Sequence, residues 1–293
     1  MRTELGIAES EMMSGMEKNS KHSILDLIER LSPDTADFVR CAADASGIKV
    51  FYHDGRPPNQ GVYCLVHWQG TNYAYASFMQ EMVDIDILQL IESTIGSYIA
   101  DKEPLCFNVY GRNANIVKCV RDLGFASDME GFELAYQGAI PPEVPIANLV
   151  VRSFERSQFN EFVHLFEQAY YPLNKENGWP VDWYSNHKDI FAQRLEAKAQ
   201  KNELRAFWNE NALVGAYIVD TNYISDLVVH PQYQGLGYGK ILLLHATKAL
   251  MNQGETKPVC LRVAKSNQKA IRFYQKYHFA EIACFAEHTF PKE

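Results

Sequence analysis

The chain has 293 residues, 47 % of them hydrophobic and 22 % charged, with a formal net charge of −8. Such a composition belongs to a globular protein of one large or two ordinary domains, and its acidity argues against a nucleic-acid partner, which needs a basic face. No run approaches eighteen uninterrupted apolar residues, so no membrane-spanning helix is expected.

Residues 1–22 lack the apolar stretch of a secretory signal and read as a mobile or loosely helical leader. Residues 23–139 form a first half and 146–293 a second. Between them, 140–145 hold Pro141, Pro142 and Pro145, which can continue neither a helix nor a central strand. The halves repeat. A shift of 154 positions lays Gly61 on Gly215, Tyr63 on Tyr217, Pro104 on Pro258, Cys106 on Cys260, Val109 on Val263, Asn113 on Asn267 and Phe125 on Phe279. Each half reads as helices, a strand pair, a helix, a strand, a helix and a final strand, so duplication is expected.

In the second half, Leu149 to Phe154 is a predicted strand and Gln158 to Tyr171 a helix. Arg205 to Trp208 and Ala212 to Asp220 make a hairpin around Asn209-Glu210-Asn211. Ile224 to Val229 is a strand. Gly239 to Asn252 is a helix with Leu243, Ala246 and Leu250 at helical spacing and Gly254 past its end. Val259 to Val263 is a strand and Gln268 to Tyr277 a helix. The fold class is therefore α/β with mixed sheets.

Cys41, Cys64, Cys106, Cys119, Cys260 and Cys284 are scattered with no CxxC pair. Neither a zinc site nor a disulfide framework is expected, and buried thiols suit a reducing cytoplasm. His53, His67, His187 and His230 have no ligand spacing on one element, so no metal is expected.

The segment from Ile224 to Lys240 is a β-rich run that ends at Pro231, a glycine-spaced loop and an apolar helix. Gly235, Gly237 and Gly239 let backbone approach a ligand without intervening Cβ atoms. Amides before a helix N-terminus make an anion site. Two phosphate loops do not fit: Lys240 stands where GxGxxG needs glycine, and a Walker loop would need glycine at Gln234 and Ser or Thr at Ile241.

The string Val229, Pro231, Gln234, Gly235, Gly237, Gly239 resembles the acetyl-CoA motif of the Gcn5-related N-acetyltransferase (GNAT) superfamily. So does Asn267-x-x-Ala270-x-x-x-Tyr274-x-Lys276-x-x-Phe279 downstream, although His278 replaces the family's usual glycine. The resemblance implies two tandem acyl-CoA N-acyltransferase-like domains and acetyl-CoA as cosubstrate. It implies a splayed pair of parallel strands with the pantetheine arm in the gap, pairing with Leu227, Val228 and Val229. The pyrophosphate is expected on amides of Gln234, Gly235, Leu236, Gly237, Tyr238, Gly239 and Lys240. Asn267 would cap its helix or touch the cofactor arm. Tyr274 is the expected general acid, the alternative being a packed core tyrosine like Tyr277. Asp226 is the candidate base acting through water, the alternative being a solvated or hydrogen-bonded strand carboxylate. By alternation Ser225 faces away from it unless a bulge intervenes. A backbone N–H near Val228 would meet the thioester oxygen.

The stretch from Tyr170 to Tyr184 is unusually aromatic for a turn. Tyr170, Tyr171, Trp179 and Trp183 are expected either to box an alkylamine or to pack against the other half. His187 nearby is a base or a structural histidine. In the first half the shift lays Gln80 to Asp86 on the glycine loop, without its glycines and with Glu81, Asp84 and Asp86 added. Val120 replaces Tyr274. Only the second half is expected to work. The expected activity is acetyl transfer to a primary amine of a small molecule. The alternatives are a protein or peptide acceptor and a non-catalytic CoA sensor. The oligomeric state stays open.

Overall fold

A computed structural model describes residues 22–30, 33–100, 103–143, 145–146, 148–253 and 257–290. The predicted leader up to residue 21, and Gly254, lie outside the described residues.

In chain order come α1 (22–30), α2 (Pro33–Ser46), β1 (Ile48–Asp54), β2 (Gly61–Trp68), β3 (Thr71–Phe78), α3 (Ile85–Ala100), β4 (Leu105–Tyr110), α4 (Ala114–Asp122) and β5 (Ala126–Tyr136). The second series is β6 (Leu149–Arg152), α5 (Phe159–Asn177), α6 (Trp183–Asn186), α7 (Lys188–Gln200), β7 (Leu204–Asn209), β8 (Ala212–Asp220), β9 (Tyr223–Val229), α8 (Tyr238–Met251), β10 (Cys260–Ala264), α9 (Gln268–Lys276) and β11 (Phe279–Thr289). The shift of 154 carries α4 onto α9 at both ends, and β4, α3 and β5 onto β10, α8 and β11 to within two residues at their starts.

Two compact units emerge: Met1–Phe132 with Ile282–Glu293, and Glu133–Glu281. The division differs from the expected one at 140–145. β5 starts in the first unit and ends in the second, whereas β11 does the reverse. Accordingly β11 pairs antiparallel with β4, from Phe285↔Tyr110 to Thr289↔Cys106, and the Tyr136 amide donates to the Val259 carbonyl at 2.8 Å.

In the first unit β1, β2 and β3 form an antiparallel meander, and β3 runs parallel to β4. Side chains of β2 alternate, and both sets are buried. Tyr63 and Leu65 meet Ile87, Ile91 and Ile95 of α3 and Ile116 and Val120 of α4. Val62, Cys64 and Val66 meet Ile24 and Ile28 of α1 and Val39 of α2.

The second unit repeats the plan, with β6, β7, β8 and β9 antiparallel in sequence and β10 parallel to β9. Phe162 and Phe166 of α5 and Phe191 and Leu195 of α7 pack on Ala206, Ala216, Ile218 and Val228. Leu242, Leu243, Ala246 and Leu250 bury the inner stripe of α8. Helix α5 extends past the predicted end at Tyr171, through Pro172 to Asn177. Pro172 stands on an exposed position, and the helix ends at Gly178, which takes the left-handed conformation (φ 72°) and donates to Asn174 and Lys175 carbonyls. Among the described residues no helix is long and apolar enough to cross a membrane.

Candidate active site

The second unit's parallel strands separate. β9 and β10 share one registered pair, Cys260↔Tyr223, closed by the Cys260 amide on the Asn222 carbonyl at 2.8 Å. Beyond it the strands form no further registered pair among the described residues. On its other edge β9 pairs with β8, but Ile218↔Asp226 is followed by Val219↔Ile224, which leaves Ser225 as the extra residue of a bulge. A bulge bends its strand and re-aims side chains. Here Ser225 faces out and Asp226 is buried.

The glycine loop follows. Gln234 folds back so that its side-chain amide donates to the Val229 carbonyl at 3.0 Å, and its oxygen accepts from Lys269 at 3.3 Å. Gly235 and Gly237 have φ of 80° and 90°, a region hostile to residues with a Cβ. A Cβ at either would meet open space, so their need for glycine is conformational. Gly239 differs: it is helical within α8, and a Cβ there would touch the Phe273 ring at an ordinary 3.4 Å.

The Gln234 amide donates to the Pro231 carbonyl and the Lys240 amide to the Gly237 carbonyl. No backbone acceptor takes the N–H groups of Gly235 through Gly239 among the described residues. The run of amides without a backbone acceptor is thus one residue shorter at each end than the expected Gln234-to-Lys240 set. These groups, ahead of a fourteen-residue helix, fit a pyrophosphate. Asn267 caps α9, accepting from the Ala270 amide at 3.1 Å.

Around Asp226 lies a polar cluster. One carboxylate oxygen accepts from the Tyr170 hydroxyl at 2.9 Å, and the other pairs with Arg194 of α7. Of the two sequence readings of Asp226, these bonds are those of the hydrogen-bonded strand carboxylate. Burial, and then the charge of Asp226, push the Tyr274 phenol up to about 12. The same two causes hold the Tyr170 and Tyr184 phenols far above the usual range. Tyr274 therefore keeps its proton at neutral pH and lies within electrostatic reach of Asp226. Arg194 escapes sequence reasoning: it lies 32 positions before its partner, and only its place beside the buried Leu195 sets it apart.

Two of the four named rings, Tyr170 and Trp183, share one aromatic cluster through Tyr184. Tyr170 stacks on Tyr184 at 6.3 Å and Tyr184 meets Trp183 edge-on at 5.2 Å. Tyr170, Trp183 and Tyr184 pack against the core of their own unit. Tyr171 is exposed and stacks with the Lys175 ammonium. The Trp179 amide ties to the Asn174 carbonyl. His187, stacked on Trp183 at 4.8 Å, contacts the Trp183 carbonyl through Nδ1 at 2.8 Å. Helix α5 crosses the gap between the strands. Tyr170 binds Asp226 on β9, and two turns later Asn177 donates to the Ser266 hydroxyl after β10 at 2.9 Å.

Residues 159–279 match the model of the Acetyltransferase (GNAT) family. The chain carries a GNAT acetyltransferase domain. A solved Drosophila melanogaster protein is 12 % identical over 94 % of this chain and 97 % of its own, with a TM-score of 0.55. A functionally unknown conserved protein from Staphylococcus epidermidis is 11 % identical over 83 % and 96 %, with a TM-score of 0.50. These two show a shared fold. A GCN5-related N-acetyltransferase from Sphaerobacter thermophilus aligns at 14 % identity over 78 % and 76 %, with a TM-score of 0.48. No curated protein sequence matches the chain.

Among the described residues the first unit differs from this domain at the seam and at the loop. β3 and β4 stay zipped through six pairs, from Asn72↔Leu105 to Ser77↔Tyr110. Val83, which the shift lays on Gly237, is buried, and the Asn115 side-chain amide brackets it, donating to its carbonyl at 2.8 Å and accepting from its amide at 3.4 Å. Asn113 does not cap α4; its side-chain amide donates to the Gln80 carbonyl.

Proposed function

We propose that the second copy transfers the acetyl group of acetyl-CoA to a primary amine of a small molecule. The observation that carries this reading is the opening of β9 from β10 directly below a left-handed glycine loop. The open edge from Leu227 to Val229 offers peptide groups to the amides of pantetheine. Amides of Gly235 to Gly239 receive the pyrophosphate.

The amine nitrogen attacks the thioester carbonyl carbon, and the C–S bond breaks as the new C–N bond settles. A backbone N–H near Val228 steadies the oxyanion. Tyr274 gives its proton to the departing sulfur. Asp226 keeps one oxygen on Arg194 and one on Tyr170. Its remaining lone pairs hold the acceptor nitrogen, and water removes the proton. The tether of α5 across the gap, through Tyr170 and Asn177, supports a small acceptor over a peptide lying in an open groove.

The test is acetyl-CoA turnover over a panel of amines, read as free thiol, with Tyr274→Phe beside the wild type. Loss of turnover with retained acetyl-CoA binding supports the reading. Binding without turnover on any amine, before and after the change, favours a CoA sensor.

A further inference from the structure

Asp226 is only 8 % exposed, and three phenols, Tyr170, Tyr184 and Tyr274, feel its charge. Alone, such a carboxylate would trap ammonium groups. We propose that Arg194 cancels that charge and thereby selects a monoamine on an apolar body over a polyamine. The proposal deepens the acetyl-transfer reading and rests on it.

Arg194 is the permanent partner in this pair, because a guanidinium keeps its proton at any working pH. It reaches Asp226 from α7 with 38 % of its own side chain still exposed. A carboxylate offers about four lone-pair positions, and Arg194 and Tyr170 occupy two of its sites. One acceptor nitrogen can use the rest. A second ammonium on the same molecule would meet the guanidinium. The charge of Glu167 also reaches Tyr184, and one of its oxygens accepts from the Ser185 amide at 2.8 Å. The surrounding surface of Tyr170, Trp183 and Tyr184 is apolar apart from its hydroxyls and suits a hydrocarbon or aromatic body. Arg194 is a positioning residue here, acting through Asp226.

Phenethylamine and spermidine are the probes, compared by kcat/KM in the full chain, with acetyl-CoA affinity followed by titration calorimetry. The wild type is expected to favour phenethylamine by about tenfold or more. Arg194→Gln should shift the ratio toward spermidine by about tenfold, as expected when a buried charge loses its partner. Arg194→Lys should keep the wild-type ratio within about threefold, because it keeps the charge. A wild-type preference for spermidine overturns the proposal, as does an equal loss on both amines in a folded Arg194→Gln protein. Where Arg194→Gln does not fold, the wild-type ratio and Arg194→Lys decide. Acetyl-CoA binding with transfer to neither amine overturns this inference alone. Absence of acetyl-CoA binding overturns the transfer reading beneath it.

Discussion

The two copies of the fold differ most at one pair of parallel strands. In the first, β3 and β4 hold six registered pairs; in the second, β9 and β10 hold one. The β2–β3 register is unbroken, whereas β8–β9 carries the Ser225 bulge. Above the open pair stand two left-handed glycines; above the closed pair stands Val83, pinned by Asn115. Backbone groups zipped to a neighbouring strand are unavailable to a ligand. Under the proposed acetyl-CoA reading, the first copy differs from the second by a closed seam as well as by its missing glycines.

The largest expected effect comes from writing the first copy's residues into the second. Gly235→Glu with Gly237→Val should weaken acetyl-CoA binding by more than about a hundredfold. It adds like charge at the pyrophosphate and about 1–2 kcal/mol of left-handed strain per residue. Calorimetric titration measures it. Next, Tyr274→Phe should lower kcat by about a hundredfold with acetyl-CoA affinity unchanged, the scale of a lost general acid. Since the phenol is pushed up to about 12, it stays protonated below that pH. Wild-type kcat should then show no descending limb from pH 7 to pH ~10, where amines lose their protons. A limb near neutrality would assign the acid elsewhere.

Gly61 and Gly215 match by the shift and sharpen the comparison. A Cβ at Gly61 would strike the Phe78 ring, while one at Gly215 would stand 2.5 Å from the Val228 carbonyl oxygen. Each substitution by alanine should destabilise by about 1–3 kcal/mol, read as thermal melting. Gly215→Ala should also weaken acetyl-CoA binding because it displaces β9, and Gly61→Ala should not. The smallest effect is at the matched asparagines. Asn267→Ala should lose about 1 kcal/mol as a helix cap, and Asn113→Ala about as much through the lost bond to the Gln80 carbonyl.

Local features were legible in the sequence. The 154-residue repeat, the helix from Gln268 and the hairpin around Glu210 depend on spacing and turn chemistry carried by neighbouring residues. Three matters were not. The helix expected to end at Tyr171 continues as α5 through Pro172, which stands on an exposed position, and ends at Gly178. The run from Pro141 to Pro145 suggested the domain boundary, but β5 and β11 choose partners by long-range pairing that composition does not encode. Arg194 bears no local mark, because its role exists only once α7 packs beside β9. The bulge at Ser225 was legible as a condition and not as an outcome.

The central claim is that one copy holds acetyl-CoA and the other cannot. Titration of the full chain with acetyl-CoA tests it most directly. One molecule should bind per chain, the binding should vanish with Gly235→Glu and Gly237→Val, and Val83→Gly should leave it unchanged. Two sites per chain, or one site that survives the loop substitutions, would contradict the account.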